Sequence, residues 1–276
     1  MQYPFNKLFD HLQKCKKVSG ATPLLRQNMS GILYIVPTPI GNLEDITLRA
    51  LRVLKECDLI ACEDTRQSLK LLTHFEISKP LVSFYSYNQQ HRLPQIINKL
   101  LNGQKIALIS DGGTPAISDP GYILVKEAVE KGVKVEPLPG ASAVITALVG
   151  SGLPTDGFIF CGFLKRKPGK MRKELAQYIN LGKTVVFYES PHRIIKTVEL
   201  CSEVFGEDAK ICLAREITKK FEEFIRGTIK EVREDINNRQ NILGEFVVLV
   251  YTENNNNEQT KSGAESGTMS MEDNDD

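Results

Sequence analysis

The 276-residue chain has no apolar run able to cross a bilayer. Its longest, Phe246 to Tyr251, is six residues, against the roughly 20 that a membrane helix requires. Six cysteines occur (Cys15, Cys57, Cys62, Cys161, Cys201 and Cys212). None forms a CxxC pair, and no His–Cys cluster has zinc-site spacing, so no metal is expected. Cysteines scattered in this way suit small buried hydrophobes in a reducing compartment, which makes a cytoplasmic location the expectation. No GxGxxG follows a strand, and Leu181–Thr184 (LGKT) has Gln177 where a P-loop needs its upstream glycine. A dinucleotide or triphosphate site is therefore disfavoured.

What is present is the composition of a globular protein, 41% apolar and 25% charged, in a chain long enough for two domains. The net charge of +1 hides a gradient. From Thr252 onward seven acidic residues face Lys261 alone, giving −6, so the preceding 251 residues carry +7. A mildly basic body is compatible with a nucleic-acid partner. The acidic, Asn-rich segment 252–276 lacks apolar periodicity and reads as disordered. Residues 1–30 are basic and lack the apolar stretch of a secretory signal. They read as an extension, a surface helix, or an overlong start with Met29 as initiator.

Between these ends, β-rich runs alternate with helical patterns. Strands are predicted at Ile32–Val36, Leu59–Cys62, Leu81–Phe84, Ile106–Ile109 and Val133–Val135. Helices are predicted at Thr47–Lys55, Arg66–His74, Leu93–Leu101 and Tyr122–Lys131. Strands apolar on both faces, alternating with helices, imply a mostly parallel sheet covered on both sides. A Gly/Pro turn at Ser151–Asp156 (SGLPTD) follows. Beyond it come strands at Phe158–Cys161, Thr184–Tyr188, Ile211–Ala214, Phe224–Gly227 and Glu245–Tyr251, with a helix near Ile229–Asn237. The last three are close enough for antiparallel pairing, so a mixed sheet is expected. The fold class is α/β with two α/β domains, 31–151 and 152–251.

Ligands in open α/β sheets bind at the carboxyl ends of strands. Three loops there are rich in Gly and Pro: Pro37–Asn42 (PTPIGN), Ser110–Gly121 (SDGGTPAISDPG) and Pro137–Ser142 (PLPGAS). Each follows a predicted strand of the first sheet, so all should meet on one edge. Glycines let backbone approach a ligand closely, and prolines reduce the entropy lost on ordering. Asp111 and Asp119 suit ribose hydroxyls, an amine or a cationic sulfonium. Any one such loop is more often a plain turn; three on one edge favour a ligand site.

The run LYIVPTPIGNLEDITLRAL (Leu33–Leu51) resembles the start of the tetrapyrrole-methylase superfamily, and within it the bacterial small-subunit ribosomal RNA cytidine 2′-O-ribose methyltransferases. The likeness continues through ACEDTR (Ala61–Arg66), Ser110–Gly121, PLPGASA (Pro137–Ala143) and SGLPTDGFIFCGF (Ser151–Phe163). It resumes at FYESPHR (Phe187–Arg193) and EFIRG (Glu223–Gly227). One departure is Gly113, where alanine is expected. The resemblance implies S-adenosylmethionine in a cleft between two domains. Pro39, Ile40 and Gly41, then Asp111, Gly113 and Thr114, then Ser142 and Ala143 would line it, with Phe187 and Tyr188 closing it. It also implies a ribose of 16S rRNA as acceptor (cytidine 1402 of the decoding centre) and a homodimer.

Methylating a ribose hydroxyl is an in-line displacement that needs alignment and a proton acceptor. Glu63, Asp64 and Glu189 are the candidates, with Asp111 and His192 behind them. The competing reading of Glu63–Arg66 is a capping and ion-pair turn. Lys165–Lys173 (KRKPGKMRK) sets six cations around a Pro–Gly turn: Lys165, Arg166, Lys167, Lys170, Arg172 and Lys173. These suit an RNA backbone, although a basic loop is often only a solvated face. Arg193, in a helix-starting Ser-Pro-His-Arg, could hold a further phosphate. Tyr85 and Tyr87 could stack on a flipped base. A small-molecule tetrapyrrole methylase and a non-catalytic RNA-binding assembly factor are the competing functions. The basic segment disfavours the first and the three cofactor loops the second.

Overall fold

The computed structural model describes residues 31–119 and 121–253. The expected basic extension 1–30, Met29 included, and residues 254–276 of the acidic segment lie outside the described residues. So does Pro120 of the second loop.

The first sheet contains β1 (Ile32–Ile35), β2 (Leu59–Cys62), β3 (Leu81–Ser83), β4 (Lys105–Leu108) and β5 (Lys134–Pro137). Their order is β3-β2-β4-β1-β5 and every pairing is parallel. Four helices cover it: α1 (Leu48–Glu56), α2 (Thr65–His74), α3 (Gln89–Leu101) and α4 (Gly121–Glu130). Alternation along β1 sends Leu33 and Ile35 into one core with Ile96, Leu100 and Leu124 of α3 and α4. Val36, just beyond β1, joins Val53, Leu54 and Leu72 of α1 and α2 on the other face. The chain therefore leaves β1 and its neighbour β4 toward opposite faces, which opens a crevice between their carboxyl ends.

The second sheet holds β6 (Phe158–Phe163), β7 (Thr184–Glu189), β8 (Lys210–Arg215), β9 (Glu223–Thr228) and β10 (Phe246–Tyr251). Its order is β6-β7-β10-β8-β9. β6 and β7 are parallel and the remaining pairs antiparallel, as a mixed sheet requires. α6 (Pro168–Leu175), α7 (Ile194–Phe205) and α8 (Ile229–Asn237) cover one face. α5 (Ala143–Ser151) covers the other, packing Val144, Ala147 and Leu148 against Val186, Cys212 and Val247. α5 thus precedes the SGLPTD turn in sequence yet belongs to the second core by packing. Both faces of the first sheet are already covered, so this apolar helix is buried where a face is still open.

Two local readings are corrected. α3 starts at Gln89, four residues before the predicted Leu93, and carries Pro94 inside it. The burial of Ile96, Ile97 and Leu100 outweighs the hydrogen bond that Pro94 cannot donate. Pro168–Gly169 is no turn: Pro168 opens α6, where its missing N–H costs nothing. Cys57, Cys62, Cys201 and Cys212 are buried free thiols. Among the described residues, no helix is long and apolar enough to cross a membrane.

Candidate functional site

The loops after β1, β2, β4 and β5 are joined by hydrogen bonds at the carboxyl edge of the first sheet. Thr38 and Gly113 form a two-way backbone bridge, with N–O distances of 3.0 and 2.9 Å. The Thr38 hydroxyl donates to the Ser110 carbonyl at 3.1 Å. Thr114 Oγ1 donates to the Ala141 carbonyl at 3.0 Å, tying the second loop to the third. The Asp64 N–H donates to Asp111 Oδ1 at 3.1 Å, which brings in the loop after β2. Gly113 sits at φ +85°, the left-handed region that glycine enters without strain. Ala116 and Ser118 hold φ of 70° and 65° without that freedom. Asp119 pins this stretch, its Oδ1 accepting from the Ala116 and Gly121 N–H groups at 2.8 Å each. Backbone strain held by surrounding bonds clusters at functional sites.

Against this edge lies the second domain, and between the two is a cavity of about 1020 Å³. Ligand pockets run to roughly 300–1,000 Å³, so the space is at the upper end of what a small-molecule site needs. Pro39, Ile40, Gly41, Glu63, Asp111 and Asp119 line it from the first domain. Ala143, Phe163, Tyr188, Glu189, Ile217, Lys219 and Val247 complete the wall. Its electrostatics are acidic on one side. Glu63 is reached by solvent through the open mouth, yet partial burial and then the carboxylates of Asp111, Asp119 and Asp64 push its pKa up. Burial also raises Asp119, against the two N–H groups it accepts, and raises the Tyr188 phenol. Among the described residues, no His/Cys/Asp/Glu group is arranged to hold a metal.

Of the residues expected at a cofactor, Pro39, Ile40, Gly41, Asp111, Ala143 and Tyr188 do line the cavity. Gly113 and Thr114 stand behind it as the bonds that join the loops, and Ser142 occupies the N-cap position of α5. Phe187 is elsewhere. Strand alternation turns it to the opposite face of β7 from Tyr188, into the core with Ile194 and Val198 of α7.

The three proton-acceptor candidates separate. Asp64 caps α2, accepting from the Arg66 N–H at 2.8 Å, and pairs with the Arg66 guanidinium at 2.7 Å. Those bonds hold its carboxyl at about 2. Glu189 is 3% exposed and fully engaged. Its Oε1 accepts from the Ser190 N–H at 2.7 Å. Its Oε2 accepts from Arg193 Nη2 at 2.8 Å and Thr197 Oγ1 at 2.7 Å. Arg193 is consequently tied inward, and Ser190–Arg193 forms the turn before α7, whose N-cap is Arg193. Glu63 has no such partner among the described residues. His192 is exposed and off the cavity wall.

The six cations of Lys165–Lys173 are all exposed. Arg172 is paired with Glu203, and the other five have no ion-pair partner among the described residues. Tyr85 and Tyr87 lie beyond β3, outside the cavity wall. Sequence reasoning missed Gln67 and Lys70 of α2, Phe163, and the Glu216–Lys219 turn. Gln67 and Lys70 share one face of α2 at i, i+3 spacing just after Glu63, a signal that could have found them. Nothing local marks the Glu216–Lys219 turn, which reaches the site only because β8 ends beside Gly41.

A parallel α/β domain with its switch-point crevice closed by a mixed-sheet domain defines a class of two-domain α/β proteins with the ligand cavity between the domains. The family model of tetrapyrrole (corrin/porphyrin) methylases matches residues 32–233, and the chain belongs to that family. The ribosomal RNA small subunit methyltransferase I of Bacillus subtilis is 49% identical over 243 residues, 86% of this chain and 82% of that protein. The protein of that name from Vibrio cholerae is 49% identical over 228 residues, 81% of this chain and 78% of that one. Among solved structures, a Thermus thermophilus uroporphyrin-III C-methyl transferase complexed with S-adenyl homocysteine shares the fold. It superimposes with a TM-score of 0.55 at 19% identity, covering 79% of this chain and 97% of that one.

Proposed function

We propose that this chain is an S-adenosylmethionine-dependent methyltransferase of small-subunit ribosomal RNA, acting on a ribose 2′-hydroxyl, that of cytidine 1402 in the decoding centre. The relatives' names support the rRNA reaction, and the ribose target rests on the resemblance of the motif blocks. The observation that carries the reading is a cavity with carboxylates on one wall and apolar side chains on the other, two residues along the chain from an exposed basic segment.

The site fits the cofactor by its chemistry. Asp111 and Asp119 suit a sulfonium cation, and Ile40, Ala143, Ile217 and Val247 an apolar aromatic face. The backbones of the first two loops pass close together at Gly112, where a Cβ would stand 3.5 Å from the Pro39 carbonyl oxygen and 3.8 Å from Ile40 Cα. When bound, S-adenosylmethionine supplies an electrophilic methyl group. Glu63 accepts the hydroxyl proton: it is accessible, without a partner among the described residues and raised in pKa, and so a stronger base than Asp64. Glu189 positions the Ser190–Arg193 turn at the wall. Lys165, Arg166, Lys167, Lys170 and Lys173 meet the RNA backbone, with Arg172 and Arg193 held in ion pairs at its edge. The enzyme is read as a cytoplasmic homodimer.

The test is transfer from methyl-labelled S-adenosylmethionine to small ribosomal subunits lacking the modification. Label should appear in 16S rRNA as a 2′-O-methylcytidine resistant to alkaline cleavage. Label on a base, or on a porphyrinoid in place of RNA, overturns the reading.

A further inference from the structure

We infer that Phe163 is the stacking platform for the nucleobase of the acceptor nucleotide. The inference rests on the rRNA methyltransferase reading. A regular strand would not put Phe163 in the cavity. In the β6–β7 pairing Phe160 stands opposite Val186, and regular register would place Gly162 opposite Tyr188. Instead Phe163 is opposite Tyr188, so β6 carries one extra residue, a β-bulge. One added residue flips every side chain beyond it to the other face. Gly162, at φ +64°, supplies the backbone turn. Phe160 and Phe163 thereby share a face and both rest on the Tyr188 ring, at centroid distances of 5.1 and 5.3 Å. Phe160 is half-buried beneath, whereas Phe163 remains 62% exposed on the cavity wall.

An exposed aromatic ring, braced from behind and turned by a bulge toward a cavity, presents a π-face to a planar ligand. The ligand's class follows from what comes next in the chain. Leu164 is buried, and Lys165, Arg166 and Lys167 then stand exposed without ion-pair partners among the described residues. A base on Phe163 leaves its phosphates toward those cations, the combination by which proteins hold unstacked nucleotides.

The experiment measures kcat/KM for small ribosomal subunits, and S-adenosylmethionine affinity by calorimetry, for the full chain and three variants. Phe163→Ala and Phe163→Leu should each lower kcat/KM about 5- to 150-fold, the range for loss of one stacked base. Phe163→Trp should recover most of that loss, and cofactor affinity should change less than about twofold in all three. Recovery by Leu equal to that by Trp means apolar contact without stacking and overturns the inference. So does a parallel loss of cofactor affinity, or Ala activity near that of the unaltered chain. If the unaltered chain labels no RNA, the functional reading itself fails, and the inference with it.

Discussion

Glu189 offers the sharpest separation between a residue that does chemistry and one that holds the site. Its carboxylate accepts three hydrogen bonds in a place 3% exposed. Glu189→Ala strands the Thr197 hydroxyl, itself 1% exposed, and the Ser190 N–H. Breaking a buried charge pair costs roughly 3–5 kcal/mol. The Arg193 side chain is 27% exposed and can turn to water, so the lower figure, about 3 kcal/mol, applies. At roughly 2–4 °C per kcal/mol, the melting temperature should fall by about 6–12 °C. Glu189→Gln keeps one acceptor oxygen but sets its amide N–H₂ against a donor, so about 1–2 kcal/mol is expected. Thermal unfolding followed by circular dichroism measures both, with methyl transfer assayed well below the melting temperature. A Glu189→Ala protein that melts like the unaltered chain yet has lost kcat more than about a hundredfold would refute the positioning role. Glu189 would then be the proton acceptor.

Glu63→Gln should lower kcat by about 10²–10⁴-fold with little change in cofactor affinity. Because the Glu63 pKa is raised, its protonated form persists above the usual carboxylate range. Only the ionised form accepts a proton, so kcat should rise with pH through that raised value, and this limb should vanish in Glu63→Gln. Replacing Lys165, Arg166 and Lys167 together with alanine should weaken RNA binding and reduce its log–log salt slope by about 2–3. Calorimetry should find cofactor affinity spared, and equal loss of both would make the segment structural. Phe187→Ala should cost about 3–5 kcal/mol of stability by denaturant unfolding while leaving the KM for the methyl donor unchanged in the folded fraction. A large rise in that KM would place Phe187 at the cofactor after all.

The first sheet was legible because both determinants are local. Apolar runs such as Ile106–Ile109 and the intervening helical periods fix element type, and a parallel sheet must put its strand-end loops on one edge. That rule alone brought Pro39, Gly41 and Asp111 to one place, and the hydrogen bonds between Thr38 and Gly113 and between Thr114 and Ala141 bear it out. The family blocks named residues within the motifs without saying which way each side chain turns. Phe187 and Tyr188 are neighbours in one block, yet β7 sends them to opposite faces.

Composition, periodicity and motif order by themselves therefore determined two α/β domains, a shared loop edge and the family. The structure decided which carboxylate is free: the turn from β7 into α7 folds Ser190, Arg193 and Thr197 onto Glu189, while Glu63 has no partner among the described residues. It decided that α5 packs on the second sheet, and that a single extra residue in β6 turns Phe163 to the cavity. The physical reason is common to all three. Spacing along a chain records which face a residue takes within its own element, whereas pairing, bulges and leftover surface depend on what the rest of the chain has already covered.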